Sequence, residues 1–419
     1  MFQFQPEEFI VEEITEAGDV LELDKPFQKP DEELRDRNHY FSRFVLQKRM
    51  WTSNNAIRQV AERLHINAKR INFAGNKDRN AFTTQMCSAF AVEPVRIRSL
   101  NIKDIKILGT WLSNEKAKMG GLAGNRFTIT LTGKNIGEKE FKGLSAKKII
   151  AKMEKGDFTI ANYFGEQRFG SARRNTAEVG KLLLQGKFKE AVLNYLCFTD
   201  ENERDEGARA SRKRLAKEMD FREALHYYPH FLKTEKLMLS HLVHSPNDFL
   251  GAFRRLHRSL QLLFIHAYQS ELFNKILAER EKKKKLGKAA VGGHYCRMNA
   301  VGFPDDENPL EIKDKKEAKA VEKLIGKGEA VLLGNLIGYS SKITKEEESL
   351  LKKEKMKKEV FLLKSMPELG SKGTLRPLFV FLKGFEATGE GKAVDRKIRL
   401  RFSLPSGSYA TVALKEIIN

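Results

Sequence analysis

The sequence predicts an α+β fold: a mixed, mainly antiparallel sheet assembled from both ends of the chain, with a helix-rich segment inserted between them. Three observations carry this expectation. Runs rich in β-branched and aromatic residues, several with period two, gather before residue 132 and again after residue 377. From residue 176 to about 284 the apolar positions recur at helical spacing instead. With 419 residues the chain has room for two or three domains. The expected division is 1–155 and 376–419 as two parts of one domain, with 156–375 inserted between them.

In chain order, Phe9-Ile10-Val11-Glu12-Glu13-Ile14 reads as a strand, and Pro26 and Pro30 punctuate an irregular stretch after it. Arg43 to Lys48 reads as a second strand. Thr52 or Ser53 can cap the next helix, because their hydroxyls accept from free first-turn amides. Ile57, Val60, Ala61 and Leu64 give that helix one apolar face, and it ends near His65. Ile71-Asn72-Phe73 leads as a strand into a polar loop, and Cys87 to Val92 leads out of it. Gly120 to Arg126 is a glycine-dense turn, followed by a strand in which Phe127, Ile129 and Leu131 share one face. Helices are expected over Ser145 to Lys155, Thr176 to Leu184, 204–217, and as one long element from Phe253 to about Lys284. Strands Leu378 to Lys383 and Lys397 to Phe402, then a short terminal helix, close the chain.

Composition narrows the function. Lys and Arg number 76 against 55 Asp and Glu, a formal net charge of +21. No fold needs that excess, so it points to a polyanionic partner, nucleic acid or an anionic membrane surface. No run of about 18 apolar residues offers a membrane span, and the N-terminus has no signal-peptide pattern, so a soluble, cytoplasmic protein is expected. Three scattered cysteines, Cys87, Cys197 and Cys296, suit a reducing compartment. Phosphate-loop, metalloprotease and nucleophile-elbow motifs are missing, and His294-Tyr295-Cys296 has no companion pair for a metal. The lysines at 282–285, and those recurring at 313–327 and 352–358, form either solvated helix faces or a phosphate footprint.

Chemistry concentrates in Phe73-Ala74-Gly75-Asn76-Lys77-Asp78-Arg79-Asn80-Ala81-Phe82-Thr83-Thr84-Gln85. Taken alone, Asp78 is a turn former; Lys77 and Arg79 beside it favour its ionised form, which suits a nucleophile or proton acceptor working on a polyanion. Phe127 reads either as a core aromatic or as a ring that stacks on a base, with Asn125 bonding the base edge.

These stretches together resemble the TruD family of pseudouridine synthases. The 73–85 segment matches the family's catalytic motif, and Gly124-Asn125-Arg126-Phe127 matches its Gly-Asn-x-Phe motif. Asn162-Tyr163-Phe164-Gly165-Glu166-Gln167-Arg168-Phe169-Gly170 matches the segment where the inserted TRUD domain begins. Gln269 to Asn274, Arg376-Pro377 and Phe402 to Thr411 follow in family order. The Lys-rich insert is similar to that of archaeal members. Bacterial relatives carry an active-site lysine where this chain has Gln3.

The resemblance implies a pseudouridine-synthase-like core and isomerisation of a tRNA uridine, at position 13 foremost with other uridine sites open in archaeal members, with no cofactor or metal and a monomeric protein. Asp78 would be the catalytic residue, as nucleophile at C1′ or as base at C2′. Lys77 and Arg79 would hold phosphate or orient Asp78. Asn125 and Phe127 would bind the base, and Phe402 would close the pocket. The competing expectation is a non-catalytic RNA-binding or RNA-chaperone protein with the same fold.

Overall fold

A computed structural model describes residues 2–156, 158–170, 173–391 and 396–418. The chain divides into two compact units: Met1–Ile160 with Arg297–Asp305 and Phe379–Asn419, and Ala161–Cys296 with Asp306–Leu378. The short excursion 297–305 joins the first unit although it lies deep within the expected insert. Among the described residues no helix is long and apolar enough to cross a membrane.

The first unit is built on an eight-stranded sheet. Its strands include β1 (Phe9–Ile14), β2 (Phe41–Arg49), β3 (Ile71–Phe73), β4 (Phe82–Phe90), β5 (Ile105–Ser113) and β6 (Gly124–Leu131). The order across the sheet is Lys383–Glu390, Lys397–Pro405, β6, β1, β4, β2, β5, with β3 paired to β4. β1 and β4 run parallel, and the other pairs named here are antiparallel. The expected strand from Cys87 begins at Phe82 instead. Thr83, Thr84 and Gln85 look like loop residues, yet β4 is paired on both edges and all three are fully buried. β5 and the exposed edge strand Lys383–Glu390 were not anticipated.

Register sets what meets on one face. Lys48 pairs with Thr83, Thr83 with Val11, Val11 with Phe127 and Phe127 with Phe402, so one row crosses five strands. Two residues along each strand stand Leu46, Gln85, Glu13, Asn125 and Leu404, on the same face by pleat alternation. Gly124 makes part of this possible: a Cβ there would sit 2.2 Å from the Leu404 carbonyl oxygen, so only glycine lets the two strands close up beside Asn125.

Helix α1 (Ser53–Leu64) covers the β2 side of this face. The Thr52 hydroxyl accepts from the Asn55 amide, and His65 ends the helix in the left-handed region at φ 55°. Ile57, Val60 and Leu64 pack against Phe44, Leu46 and Cys87. On the β6 side, Phe127, Ile129, Leu400 and Phe402 pack with Ile149 and Met153 of helix Ala146–Lys155 and Leu414 of helix Ala410–Ile418.

The second unit packs its helices around Arg258–Lys282 and carries a four-stranded sheet in the order Thr374–Pro377, Ala330–Leu336, His294–Arg297, Leu310–Glu311. The expected single helix from Phe253 to Lys284 is two, Phe249–Arg254 and Arg258–Lys282. His257 interrupts them by capping the second, its side chain accepting from the Ser259 amide. Three family stretches knit together here. The Arg376 guanidinium donates to both oxygens of Asn162 and lies 4.1 Å from the Phe164 ring centre. Asn274 accepts from the Phe164 amide and donates to the Phe164 carbonyl. Lysines 282–285 are all exposed; Lys283 pairs with Glu279.

Candidate active site

β4 offers one edge to two partners, β1 over Phe82–Thr84 and β3 over Cys87–Ala89. The loop carrying Asp78 leaves from where they part. That gap strands the Met86 amide, and the buried Glu13 carboxylate fills it: Oε1 accepts from Met86 N at 2.8 Å and Oε2 from Lys77 Nζ at 2.6 Å. Glu13 is fully buried, and burial pushes its carboxyl above the usual range against the pull of Lys77.

The loop is pinned along its length. The Ala74 carbonyl accepts from Gly120 N at 2.7 Å. Lys77 N donates to Ser53 Oγ at 2.8 Å, and that hydroxyl donates to Gln85 Oε1 at 2.8 Å. The Asp78 carbonyl accepts from Lys48 Nζ at 2.9 Å. Every anchor acts on main chain or on Lys77, while the Asp78 side chain stays exposed, as does that of Arg79, which has no ion pair among the described residues. An exposed carboxylate on an immobilised backbone is preorganised for reaction.

Lys77 is not available to phosphate. Its side chain is 3% exposed and held by Glu13, so it fixes the loop from within. Phe127 and Phe402 also differ from expectation. Phe402 is fully buried and Phe127 nearly so, their ring centres 5.7 Å apart, with Phe9 6.2 Å from Phe127 on another side. Both occupy inward positions of paired strands, so core packing takes the faces that base stacking or pocket closure would use. Asn125, on β6, differs from both rings in its surroundings. Its Oδ1 is covered from solvent with no hydrogen-bond partner, as is Thr83 Oγ1 on the same face, while Gln85 Nε2 faces only the Cys87 thiol, a weak acceptor. Leaving one such group unmatched costs about 1–3 kcal/mol, so this face holds polar atoms whose bonding is incomplete within the fold. Gln3 is exposed, its amide donating to the Asn135 carbonyl.

Sequence reasoning missed Lys48, Glu13, Ser53, Thr83 and Gln85. A signal was present for two of them. Lys48 continues the inward series Phe44, Leu46, and Glu13 continues Phe9, Val11; a charge at an inward position of a strand is a functional flag. Lys48 is fully buried, and burial lowers its ammonium to about 8, opposed chiefly by the Asp78 carboxylate. Among the described residues no group of three or more His, Cys, Asp or Glu is placed to hold a metal ion.

Comparison with known proteins follows the same lines. The model of the family described as tRNA pseudouridine synthase D (TruD) matches residues 2–417. A probable tRNA pseudouridine synthase D of Methanosarcina acetivorans is 32% identical over 418 residues, covering 98% of this chain and 90% of the relative. One from Thermococcus sibiricus is 34% identical over 389 residues, covering 90% and 88%. The crystal structure of a putative tRNA pseudouridine synthase D from Methanosarcina mazei superposes with a TM-score of 0.78 at 32% identity, covering 100% of this chain and 93% of that one.

Proposed function

The chain belongs to the tRNA pseudouridine synthase D (TruD) family, and from that premise we infer that it is an isomerase converting uridine 13 of tRNA to pseudouridine, with Asp78 as the catalytic residue. The N1–C1′ bond breaks, the base turns, and C5 bonds to C1′ while C5 loses its proton and N1 gains one. Nothing is oxidised and no water is consumed. An ionised Asp78 serves either route, as nucleophile at C1′ or as base at C2′.

The observation that carries this reading is a pair of amide atoms beside the Asp78 loop, Asn125 Oδ1 without a partner and Gln85 Nε2 facing only the weakly accepting Cys87 thiol. Uracil presents an N3–H donor flanked by two carbonyl acceptors. Asn125 Oδ1 is a buried acceptor and Gln85 Nε2 a buried donor, the complement of that edge. Phe127 and Phe402 stay in the packed core behind it, and Arg79 faces the phosphates. The first unit acts as the catalytic domain and the Lys-rich second unit as the inserted TRUD domain, the protein working as a monomer in the cytoplasm, where tRNA is handled.

The direct test is incubation with an unmodified tRNA transcript and chemical mapping of pseudouridine. A single new pseudouridine at position 13 is expected. Tight tRNA binding without any new pseudouridine would turn the reading to a non-catalytic RNA-binding protein.

A further inference from the structure

The reaction needs Asp78 held still and ionised, yet of the two cations flanking it in sequence Arg79 is exposed to solvent and Lys77 is bound elsewhere. Lys77 is committed to Glu13 at 2.6 Å. The cation that reaches the Asp78 main chain comes from another strand. Lys48 Nζ donates to the carbonyl oxygens of Asp78 at 2.9 Å and Trp51 at 2.5 Å. Both acceptors are neutral, and no carboxylate lies within ion-pairing distance of Lys48 among the described residues. Lys48 is fully buried and its cross-strand neighbour is Thr83, whose hydroxyl has no partner.

A buried ammonium without a paired carboxylate is costly, and a neutral donor would tie two carbonyls together at less expense. The charge itself therefore has a use. The charged groups facing Lys48 are Asp78, which stabilises the ammonium, and Lys77, which opposes it; Cys87 on β4 also faces it, but burial raises that thiol well above its ordinary range and leaves it neutral. Lys77 in turn is neutralised by Glu13, which leaves the Asp78 carboxylate as the counter-charge.

Resting on the assignment of Asp78 above, we propose that Lys48 is the positioning residue of this site: its ammonium fixes the Asp78 main chain by a hydrogen bond and supplies the positive charge that its carboxylate works beside. The role is electrostatic as well as geometric, so it requires the protonated amine.

The test compares Lys48→Met, which keeps length and packing but removes charge and donor, with Lys48→Arg, which keeps both. Tritium release from C5-labelled tRNA gives kcat and KM across pH 6.5–9.5. Lys48→Met should lower kcat about 100-fold with KM for tRNA within about threefold, while remaining fully folded at the assay temperature across this pH range. Wild-type kcat should fall above about pH 8, as Lys48 loses its proton. Lys48→Arg should recover at least a tenth of wild-type kcat and lose that alkaline fall. The proposal is overturned if Lys48→Met keeps kcat within about threefold, if its activity falls only in step with its folded fraction, or if it retains the wild-type alkaline limb. Asp78→Asn, run alongside, separates the two levels. An active Asp78→Asn enzyme sinks the assignment of Asp78 itself, whereas an inactive one beside an active Lys48→Met enzyme sinks only the role of Lys48.

Discussion

On one face of a single sheet, the half made by β1, β4 and β2 and the half made by β6 and Lys397–Pro405 are both buried, but they are buried differently. The second is filled by Phe127, Ile129, Leu400 and Phe402, packed as an ordinary apolar core. The first sets Glu13, Lys48, Thr83 and Gln85, all buried and polar, among the apolar Phe44, Leu46 and Val11, with the buried Lys77 reaching in from the loop. Apolar burial stabilises by about 25 cal/mol per Å² wherever it occurs, whereas each buried charge must be offset by its partners. The contrast teaches where stability and chemistry are kept apart: the aromatic half holds the sheet, and the polar half holds the Asp78 loop. The two meet at Asn125, on β6 but opposite Glu13.

Substitutions on either half sharpen or break that division. The largest stability loss is expected for Glu13→Leu, which strands the Lys77 ammonium and the Met86 amide; unfolding in urea should show a loss of about 3–5 kcal/mol. Phe402→Ala should cost about 3–4 kcal/mol by the same measurement, with the residual activity of the folded fraction near wild type per molecule. If Phe402→Ala instead spares stability and abolishes turnover, the aromatic half carries chemistry and the division fails. Asn125→Ala, on the boundary, should leave stability within about 1 kcal/mol and lower kcat/KM roughly 30-fold, because an acceptor used only by substrate is removed.

A smaller effect is a pH dependence of stability. The Lys48 ammonium is lowered to about 8 in the folded protein and sits near the usual lysine value of about 10.4 when unfolded. Between those values the unfolded chain binds more protons, so this residue makes stability rise with pH above about 8. Between pH 8 and 9.5 the wild type should gain about 1–2 kcal/mol relative to Lys48→Met, measured by denaturant titration of both. Smallest is the salt response. Neutralising the exposed lysines 282–285 should flatten the slope of log affinity for tRNA against log salt by roughly 0.7–0.9 for each phosphate no longer neutralised, leaving kcat unchanged. An unaltered slope would return those lysines to a solvated helix face.

The sequence revealed the α+β class and the order of the main elements because patterns such as Phe127, Ile129, Leu131 and the α1 stripe follow from one face being buried. It hid elements buried on both faces or built around a close approach. β5 is hard to read because Gly109 breaks its pattern; a Cβ there would lie 1.7 Å from the Phe27 carbonyl oxygen. Ala330–Leu336 opens on four consecutive apolar residues without alternation and reads as helix or strand equally well. At the site, the Asp78 loop and Asn125 were legible as motifs. Glu13 and Lys48 show in the sequence only as charges at inward strand positions; their roles depend on which strands become neighbours, since Glu13 fills a gap between β1 and β3 and Lys48 reaches Asp78 across a strand pairing.

The central claim is that Asp78, exposed on an immobilised loop, carries the isomerisation. Single-turnover tritium release from C5-labelled tRNA, comparing wild type with Asp78→Asn, addresses it most directly. A rate at least about 1,000-fold lower is expected in Asp78→Asn, with tRNA affinity within about threefold of wild type. A rate within about tenfold of wild type would contradict the claim.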